Sequence, residues 1–370
     1  MKKIVILGAG MVGSEIAGDL RNEFSLKVID INKTNLEKVS NKYQLETEQA
    51  DLTDKKKLQE TLKNFDLVIC AVPGFMGFET LKSAIEMKKD VVDISFFSQD
   101  PFKLDSLAKE NNVTAIVDCG ITPGLSNLVL GYHNKRMKIK KYKCYVGGLP
   151  VDREWPFEYK APFSPLDVIE EYLRPARVKI DGSILTKPAL SEPELIYFNN
   201  IGTLEAFNTD GLRTLLTTMD IPTMQEKTLR YPKHIEYVKV LKECGFLGTN
   251  EIQIKGKKIK PLDLTTNLLI PLWKLKEGDA EFTVVRLMIE GIENKNSKKY
   301  IYNLIDRYDH KNNISSMART TGYTCTSIAR LILNGKFNRK GICPPEYIGE
   351  NENCYFSVIN ELKEKEIKFS

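Results

Sequence analysis

Residues 4–20 read IVILGAGMVGSEIAGDL, and this stretch decides the fold of the N-terminal part of the chain. The apolar run Ile4–Leu7 is typical of a strand that is buried on both faces of a parallel sheet. The segment Gly8–Gly13 has the spacing GxGxxG, and a helical pattern with its apolar residues on one side follows it. A strand, a glycine-rich turn and a helix in this order predict a dinucleotide-binding βαβ unit.

Each glycine of this turn has a separate expected role. Gly8 permits the tight turn, Gly10 lets a diphosphate approach the backbone, and Gly13 lets the helix pack closely on the strand. The free N–H groups at the start of the helix then face the phosphates. The alternative interpretation is that the glycines serve only the turn from strand to helix.

A second apolar run, Leu26–Ile29, ends in Asp30 and favours the dinucleotide interpretation. The spacing from the glycines is close to the roughly 20 residues expected for the acid that binds the adenosine ribose. A carboxylate there accepts hydrogen bonds from ribose hydroxyls and repels a 2′-phosphate. We therefore expect NAD rather than NADP, with Lys33 nearby as a residue that softens this preference and leaves NADP possible.

Further apolar runs alternate with helical patterns and complete a doubly wound parallel sheet of the α/β class. The third to sixth strands are predicted at residues 50–52, 67–72, 91–94 and 115–120. Because ligands bind beyond the carboxyl ends of such strands, residues at these ends join the glycine-rich turn in the predicted cofactor site. That site comprises Gly8, Gly10, Met11, Val12, Gly13, Asp30, Asp51, Ala71, Val72, Pro73, Cys119 and Pro123.

The rest of the chain has a mixed pattern that predicts a second, α+β domain. Residues 141–150 are predicted as a strand ending in a Gly-Gly turn, and residues 295–299 as an exposed loop. Further strands are predicted at 194–198 and 282–289. A helix is predicted near 237–244, and a last helical pattern covers 315–333.

Composition excludes several classes of protein. The chain has 370 residues, of which 42% are hydrophobic and 28% charged, with a net charge of +5, so it is long enough for two globular domains. Its lysine runs have no interleaved aromatic residues, which argues against nucleic acid as a partner. No segment reaches the roughly 20 apolar residues of a membrane helix. Seven cysteines without a CxxC pair indicate reduced thiols in a cytoplasmic protein, and three histidines without HxxxH spacing argue against a metal site.

Seven segments together resemble the saccharopine dehydrogenase-like oxidoreductases, and most of all the lysine 6-dehydrogenases within that group. In the family's order they are GAGMVG, VVDIS, DCGITPGLSN, YVGGLP, LEAFNTDGL, KTLRYPKH and ARTTGYTCTSIARLIL, which PPE follows. The resemblance implies a discontinuous Rossmann domain, residues 1–121 plus 315–370, in which the C-terminal helical segment returns to the first domain. It also implies a substrate and dimerisation domain, residues 122–314, and a homodimer.

The activity that the resemblance implies is oxidation of the terminal amine of L-lysine by NAD to 2-aminoadipate 6-semialdehyde. Relatives in the group act on saccharopine or carboxy-polyamines, which are the alternative substrates. A dinucleotide-binding sensor without catalysis is the third hypothesis. Hydride transfer from the carbon that bears nitrogen requires a neutral amine, so a base near the amine is expected.

Two residues are candidates for the catalytic group. Asp93 ends a predicted strand on the cofactor side and matches an Asp of the lysine 6-dehydrogenase pattern, although the following Ser95 is also typical of a loop anchor. His234 matches the family's RYxGH-type motif, with Lys233 where relatives commonly have Gly.

The predicted substrate-binding residues are glycines, polar loop residues and two arginines. Arg230 is a candidate partner of a carboxylate, because a guanidinium binds carboxylates bidentately, and Arg213 is its competitor. The full set is Gly124, Gly147, Gly148, Asn208, Thr209, Arg213 and Arg230.

Overall fold

The first third of the chain folds as a parallel α/β unit in the computed structural model, which describes residues 1–370. In chain order its elements are β1 (Lys3–Leu7), α1 (Met11–Leu20), β2 (Ser25–Asp30), α2 (Lys33–Tyr43), β3 (Glu46–Gln49), α3 (Lys55–Leu62), β4 (Leu67–Cys70), α4 (Gly74–Glu86), β5 (Asp90–Asp93), α5 (Asp105–Glu110), β6 (Thr114–Ile116) and α6 (Leu125–Asn134). The strands pair in parallel in the order β6-β5-β4-β1-β2-β3. This order is that of a doubly wound sheet whose switch point lies beside β1.

The middle of the chain forms a mixed sheet flanked by helices. Its elements are β7 (Lys138–Pro150), α7 (Pro165–Leu173), β8 (Ala176–Ile180), β9 (Ser183–Lys187), β10 (Glu194–Phe198), β11 (Gly202–Asn208), α8 (Leu215–Thr218), β12 (Thr223–Arg230), α9 (His234–Glu243), β13 (Ile252–Ile254), β14 (Lys257–Ile259), α10 (Pro261–Trp273), β15 (Glu281–Glu293) and β16 (Asn296–Arg307). The main path of this sheet is β10-β11-β12-β7-β15-β16, and β8 and β9 pair beside β12.

The last segment of the chain returns to the parallel sheet. It consists of α11 (Ser316–Leu333), β17 (Gly341–Cys343), α12 (Pro345–Gly349) and α13 (Glu352–Glu364). Helix α11 packs against α1, and β17 pairs in parallel with β6 as a seventh strand that the sequence did not predict. The predicted fold class, a Rossmann sheet with a second α+β unit and a helical return, is confirmed; the exact domain boundaries stay predictions. None of the helices combines the length and the apolar character that a membrane span requires.

Three details of the predicted elements were wrong. The third strand lies at residues 46–49 rather than 50–52. Gly147 and Gly148 do not form a turn, because they pair with β15 inside the long strand β7. Both positions require glycine because the neighbouring atoms leave no room for a side chain. A Cβ on Gly147 would lie 2.7 Å from the oxygen of Leu229, and a Cβ on Gly148 would lie 2.6 Å from Cγ of Pro162. Residues 296–299 are exposed, as predicted, but they form the start of β16 rather than a loop.

Candidate active site

A cavity of about 650 Å³ lies between the carboxyl ends of the parallel strands and the mixed sheet. Most of the residues predicted for the site line it: Gly8, Gly10, Met11, Val12, Gly13, Asp30, Asp51, Ala71, Val72, Pro73, Pro123, Gly147, Gly148, Thr209 and Arg230. Six others do not: Asp93, Cys119, Gly124, Asn208, Arg213 and His234.

The glycine-rich turn has the geometry that a diphosphate requires. Gly8 has a φ of +106°, and a Cβ there would lie 2.3 Å from the oxygen of Ala71. A Cβ on Gly13 would lie 2.1 Å from the oxygen of Gly8, whereas a Cβ on Gly10 would meet nothing within 4 Å. The first two glycines therefore serve the turn and the packing of α1, and Gly10 leaves open space beside the helix start. Because α1 has no side-chain cap, this part of the cavity fits a phosphate group.

Asp30 is held at the adenosine end of the cavity by two backbone amides. Its Oδ2 accepts a hydrogen bond of 2.6 Å from the amide of Ala9, and its Oδ1 one of 2.7 Å from the amide of Asn32. Each carboxylate oxygen has a second lone pair that is available to a ribose hydroxyl. Lys33 does not line the cavity, and its Nζ lies 3.7 Å from Glu37. These residues fit a dinucleotide.

Strand β12 places three polar side chains at alternate positions on the other wall of the cavity, namely Glu226, Thr228 and Arg230. Oε2 of Glu226 accepts hydrogen bonds from the hydroxyl of Thr209, at 2.8 Å, and from the amide of Gly211, at 3.1 Å. Burial, together with the nearby carboxylate of Glu171, raises the pKa of Glu226 to about 8. Glu226 is therefore the buried carboxyl group of this wall that is suited to exchange a proton near neutral pH.

The sequence interpretation missed Glu226 and Thr228. Their signal was the alternation Glu-x-Thr-x-Arg over residues 226–230, which puts three polar side chains on one face of an otherwise buried strand. Only Arg230 of this set was predicted.

Arg230 belongs to a buried network that includes His234. The guanidinium of Arg230 donates from Nε to the Tyr172 hydroxyl at 2.8 Å and pairs with Glu171 at 3.4 Å. The Tyr172 hydroxyl contacts Nε2 of His234 at 2.9 Å, and Nδ1 of His234 lies 2.9 Å from the carbonyl oxygen of Phe157. Because a carbonyl only accepts, Nδ1 carries the proton and Nε2 accepts from Tyr172. His234 thus positions Tyr172 and, through it, Arg230.

We expect His234→Gln to leave the shape of the pH profile unchanged. Burial, and then the charge of Arg230, lower the pKa of His234 to about 3, so the ring stays neutral at all ordinary assay pH values. The variant should lower kcat/KM by up to about tenfold, because it loosens the support of Arg230. The measurement is kcat/KM from pH 5 to 9, with the exposed His310→Gln as control. This role would be contradicted if kcat/KM of the unmodified protein changed with pH near 6.5 and if His234→Gln removed that change while His310→Gln retained it.

Asp93 lies behind the cavity wall. Its side chain is fully buried, its Oδ1 accepts from the amide and the hydroxyl of Ser95, and its Oδ2 has no partner in the protein. Burial raises the pKa of Asp93 to about 7, against the hydrogen bonds from Ser95. Ser95 itself lines the cavity. These contacts are those of a loop anchor, and a catalytic role of Asp93 stays a prediction.

Arg213 connects the middle of the chain to the parallel-sheet unit. Its Nε lies 2.7 Å from Oδ1 of Asp118, and its Nη1 donates to the oxygen of Phe97 at 2.6 Å. The guanidinium also lies 4.5 Å from the ring centre of Phe96. Asp118 and Phe96 line the cavity, whereas Arg213 stands behind them. Arg213 is therefore already occupied by a partner of its own.

Three more predicted residues shape loops or face elsewhere. The amide of Asn208 donates to Ser191 and Glu192, outside the cavity. Gly124 has a φ of +140°, and a Cβ there would collide with the oxygen of Gly120. Cys119 is fully buried. Cofactor and substrate roles of these residues stay predictions.

The substrate end of the cavity is rich in acidic side chains. Three of them have a cation as partner: Asp118 pairs with Arg213, Asp210 with Arg177 and Glu171 with Arg230. At this end two lining carboxyl groups, Asp167 and Glu226, form no ion pair, and Arg174 is the cation whose charge acts on Asp167. Burial raises the pKa of Asp167 to about 6. The structure has no group of three or more His, Cys, Asp or Glu side chains that could hold a metal ion. The arrangement fits a ligand that carries positive charge.

Fold and cavity together define an NAD(P)-binding α/β protein of the Rossmann type. Residues 4–116 match the family model described as the saccharopine dehydrogenase NADP binding domain. Residues 117–367 match the model described as the saccharopine dehydrogenase C-terminal domain. The chain belongs to the saccharopine dehydrogenase family, as its sequence motifs predicted.

Several known proteins are similar to this chain. Saccharopine dehydrogenase (NADP+, L-glutamate-forming) of Pyricularia oryzae is 28% identical over 300 residues, which are 77% of this chain and 66% of that protein. Carboxyaminopropylagmatine dehydrogenase of Synechocystis sp. is 21% identical over 92% of both chains. The solved structure of apo saccharopine dehydrogenase (L-Glu forming) from Saccharomyces cerevisiae has a TM-score of 0.80 at 22% identity, with 100% of this chain and 99% of that chain covered. The chain spans 66%, 61% and 47% of the first three curated relatives that it matches.

Proposed function

We propose that the protein oxidises the terminal amine of L-lysine, with NAD as hydride acceptor, to 2-aminoadipate 6-semialdehyde and ammonia. The observation that carries this proposal is Glu226, a buried carboxyl group without an ion pair that lines the same cavity as the glycine-rich turn. A bound ammonium group supplies the missing cation. The family match and the names of the relatives, which are dehydrogenases, support the reaction class.

In the proposed reaction Glu226 accepts one proton from the substrate ammonium group, which leaves the nitrogen lone pair free. NAD, when bound, supplies the hydride acceptor beside the cavity wall. The lone pair stabilises the iminium carbon as the hydride leaves, and water then hydrolyses the iminium to the semialdehyde and ammonia. Arg230 is the lining cation at this end and faces the substrate carboxylate in the proposal.

The charges of the site favour lysine over saccharopine. Saccharopine carries several carboxylates and needs a cation for each, yet Arg230 is the one arginine that lines the cavity, and Arg213 and Arg177 lie outside its lining. Lysine carries one carboxylate and two amines, which matches one lining arginine and two carboxyl groups without an ion pair. The same surplus of acids favours a carboxy-polyamine as the second candidate substrate.

The test is NADH formation by the purified protein with L-lysine, saccharopine, a carboxylated polyamine and agmatine derivatives. Turnover that is fastest with L-lysine supports the proposal. Turnover only with a carboxylated polyamine would make the carboxy-polyamine the substrate instead of lysine. Turnover only with saccharopine would contradict the conclusion that the charges of the site favour lysine. Binding of NAD without turnover of any amine would favour a non-catalytic sensor.

We expect kcat/KM with NAD to exceed that with NADP by at least about tenfold, or about 1.4 kcal/mol. The reason is that the carboxylate of Asp30, fixed by two amides, repels a 2′-phosphate. Asp30→Ser should lower the ratio of kcat/KM with NAD to kcat/KM with NADP. The serine removes the negative charge that repels the 2′-phosphate but retains a hydrogen-bond acceptor for the ribose. Asp54→Asn is the matched control, since Asp54 caps α3 outside the cavity lining and the variant should affect both cofactors equally. Equal use of both cofactors by the unmodified protein would contradict the expectation.

A further inference from the structure

Two threonine hydroxyls connect the buried Glu226 to a second carboxylate. Oε2 of Glu226 lies 2.8 Å from Oγ1 of Thr209, which lies 2.8 Å from Oγ1 of Thr228. Oγ1 of Thr228 lies 2.5 Å from Oε1 of Glu171. Three successive oxygen–oxygen contacts of hydrogen-bond length therefore join Glu226 to Glu171. The four residues come from three parts of the chain: β12, the loop after β11, and helix α7.

The number of protons available to these three contacts decides how many of them can be hydrogen bonds. Each threonine hydroxyl has one proton, so the two hydroxyls can supply only two of the three hydrogen bonds. If both carboxyl groups were ionised, Thr209 would donate to Glu226 and Thr228 to Glu171, and the contact between the two hydroxyls would have no proton. One additional proton, on either carboxyl group, satisfies all three contacts.

The two carboxyl groups that this series of contacts joins differ in their surroundings. Glu226, Thr209 and Thr228 are buried, whereas the side chain of Glu171 is 19% exposed. Glu171 also has the cation Arg230 as a partner, which Glu226 lacks. A proton that enters at Glu226 can therefore reach a more exposed group without a movement of the backbone.

We propose that Glu226, Thr209, Thr228 and Glu171 form a proton relay that removes the proton of the substrate amine from the buried end of the cavity. This inference rests on the proposed function, because it assigns the path of the proton that amine oxidation releases. Thr209 and Thr228 act in it as carriers, and Glu171 is the acceptor at the far end.

The proton balance of the relay is simple. The substrate loses an N–H bond as an O–H bond forms on Glu226. The proton of Glu226 then passes to Thr209 while the original proton of Thr209 passes to Thr228, and the original proton of Thr228 forms an O–H bond on Oε1 of Glu171. Each hydroxyl loses and gains one proton, no electrons move, and the hydride leaves separately to NAD.

The test compares Thr228→Val with Thr228→Ser, because valine has the shape of threonine without its hydroxyl and serine retains the hydroxyl. We measure kcat, KM and the solvent deuterium isotope effect on kcat. The relay predicts that Thr228→Val lowers kcat at least about tenfold and raises the isotope effect, with KM changed less than about threefold. Thr228→Ser should restore most of kcat. Thr283→Val is the matched control, since Thr283 is a fully buried threonine of the same sheet that does not line the cavity.

The possible outcomes separate the relay from the proposed function. If the unmodified protein oxidises an amine and Thr228→Val matches it in kcat and isotope effect, the relay is overturned and the function stands. A loss that serine does not repair, or that Thr283→Val shares, would indicate packing and would also overturn the relay. If the unmodified protein oxidises no amine at all, the function fails and the relay fails with it.

Discussion

Glu226→Gln is expected to lower kcat for lysine oxidation by about 100-fold or more, which is the usual contribution of a positioned general base. The amide retains the shape and the hydrogen bond from Thr209, but it cannot accept the proton of the substrate ammonium group. Binding of NAD should be unchanged, because Glu226 belongs to the mixed sheet whereas the glycine-rich turn and Asp30 belong to the parallel-sheet unit. The measurements are kcat and the dissociation constant of NAD for the variant and the unmodified protein.

The same variant should change the pH profile. Burial raises the pKa of Glu226 to about 8, and only the ionised form accepts a proton, so kcat/KM should rise with pH to a midpoint near 8. Glu226→Gln should remove this ascending limb. Glu281→Gln is the matched control, since burial also raises the pKa of Glu281 to about 8 but its side chain does not line the cavity. A variant at Glu226 with normal kcat would exclude it as the base.

Arg213→Met is expected to lower the free energy of unfolding by about 3 kcal/mol, the order found when one partner of a buried ion pair is removed. Its guanidinium is the ionic partner of the fully buried Asp118, and it also satisfies the carbonyl of Phe97. Burial raises the pKa of Asp118 even beside the arginine, and the variant should raise it further. A carboxyl group whose pKa is raised on folding stabilises the protein less as the pH rises, so the loss should be larger at pH 8 than at pH 5.

Chemical denaturation at both pH values measures this loss. The control is Lys109→Met, which removes the exposed partner of Asp105 in a helix pair with an N–O distance of 2.6 Å. Surface pairs contribute about 1 kcal/mol or less, so the control should be nearly neutral. Equal effects of the two variants would mean that the Arg213–Asp118 pair does not hold the two units together.

The local part of the site could be predicted from the sequence. The roles of Gly8 and Gly13 depend on a turn within ten residues of chain, and the position of Asp30 follows from the next strand of a regular βαβ unit. Periodicity also indicated α11, whose apolar side packs on α1. Strand β17 has only three residues, Gly341–Cys343, which is too short for a distinct periodic signal.

The substrate end could not be predicted in the same way because it is assembled from distant segments. Glu226 acquires its environment from Thr209 and Glu171, which lie 17 and 55 positions earlier in the sequence. His234 was a natural candidate for a catalytic group, and only the three-dimensional contacts place it behind Tyr172. The pair Gly147–Gly148 read locally as a turn, whereas contacts with distant residues require glycine there.

The most direct measurement of the central claim is the ratio of ammonia to NADH in a reaction with L-lysine and NAD. Oxidation of a terminal primary amine, with Glu226 as the base, predicts one ammonia released for each NADH formed. NADH formed from L-lysine without ammonia would mean that hydride transfer is not followed by hydrolysis of an iminium to the semialdehyde. That result, or no NADH with L-lysine, would contradict the proposed function.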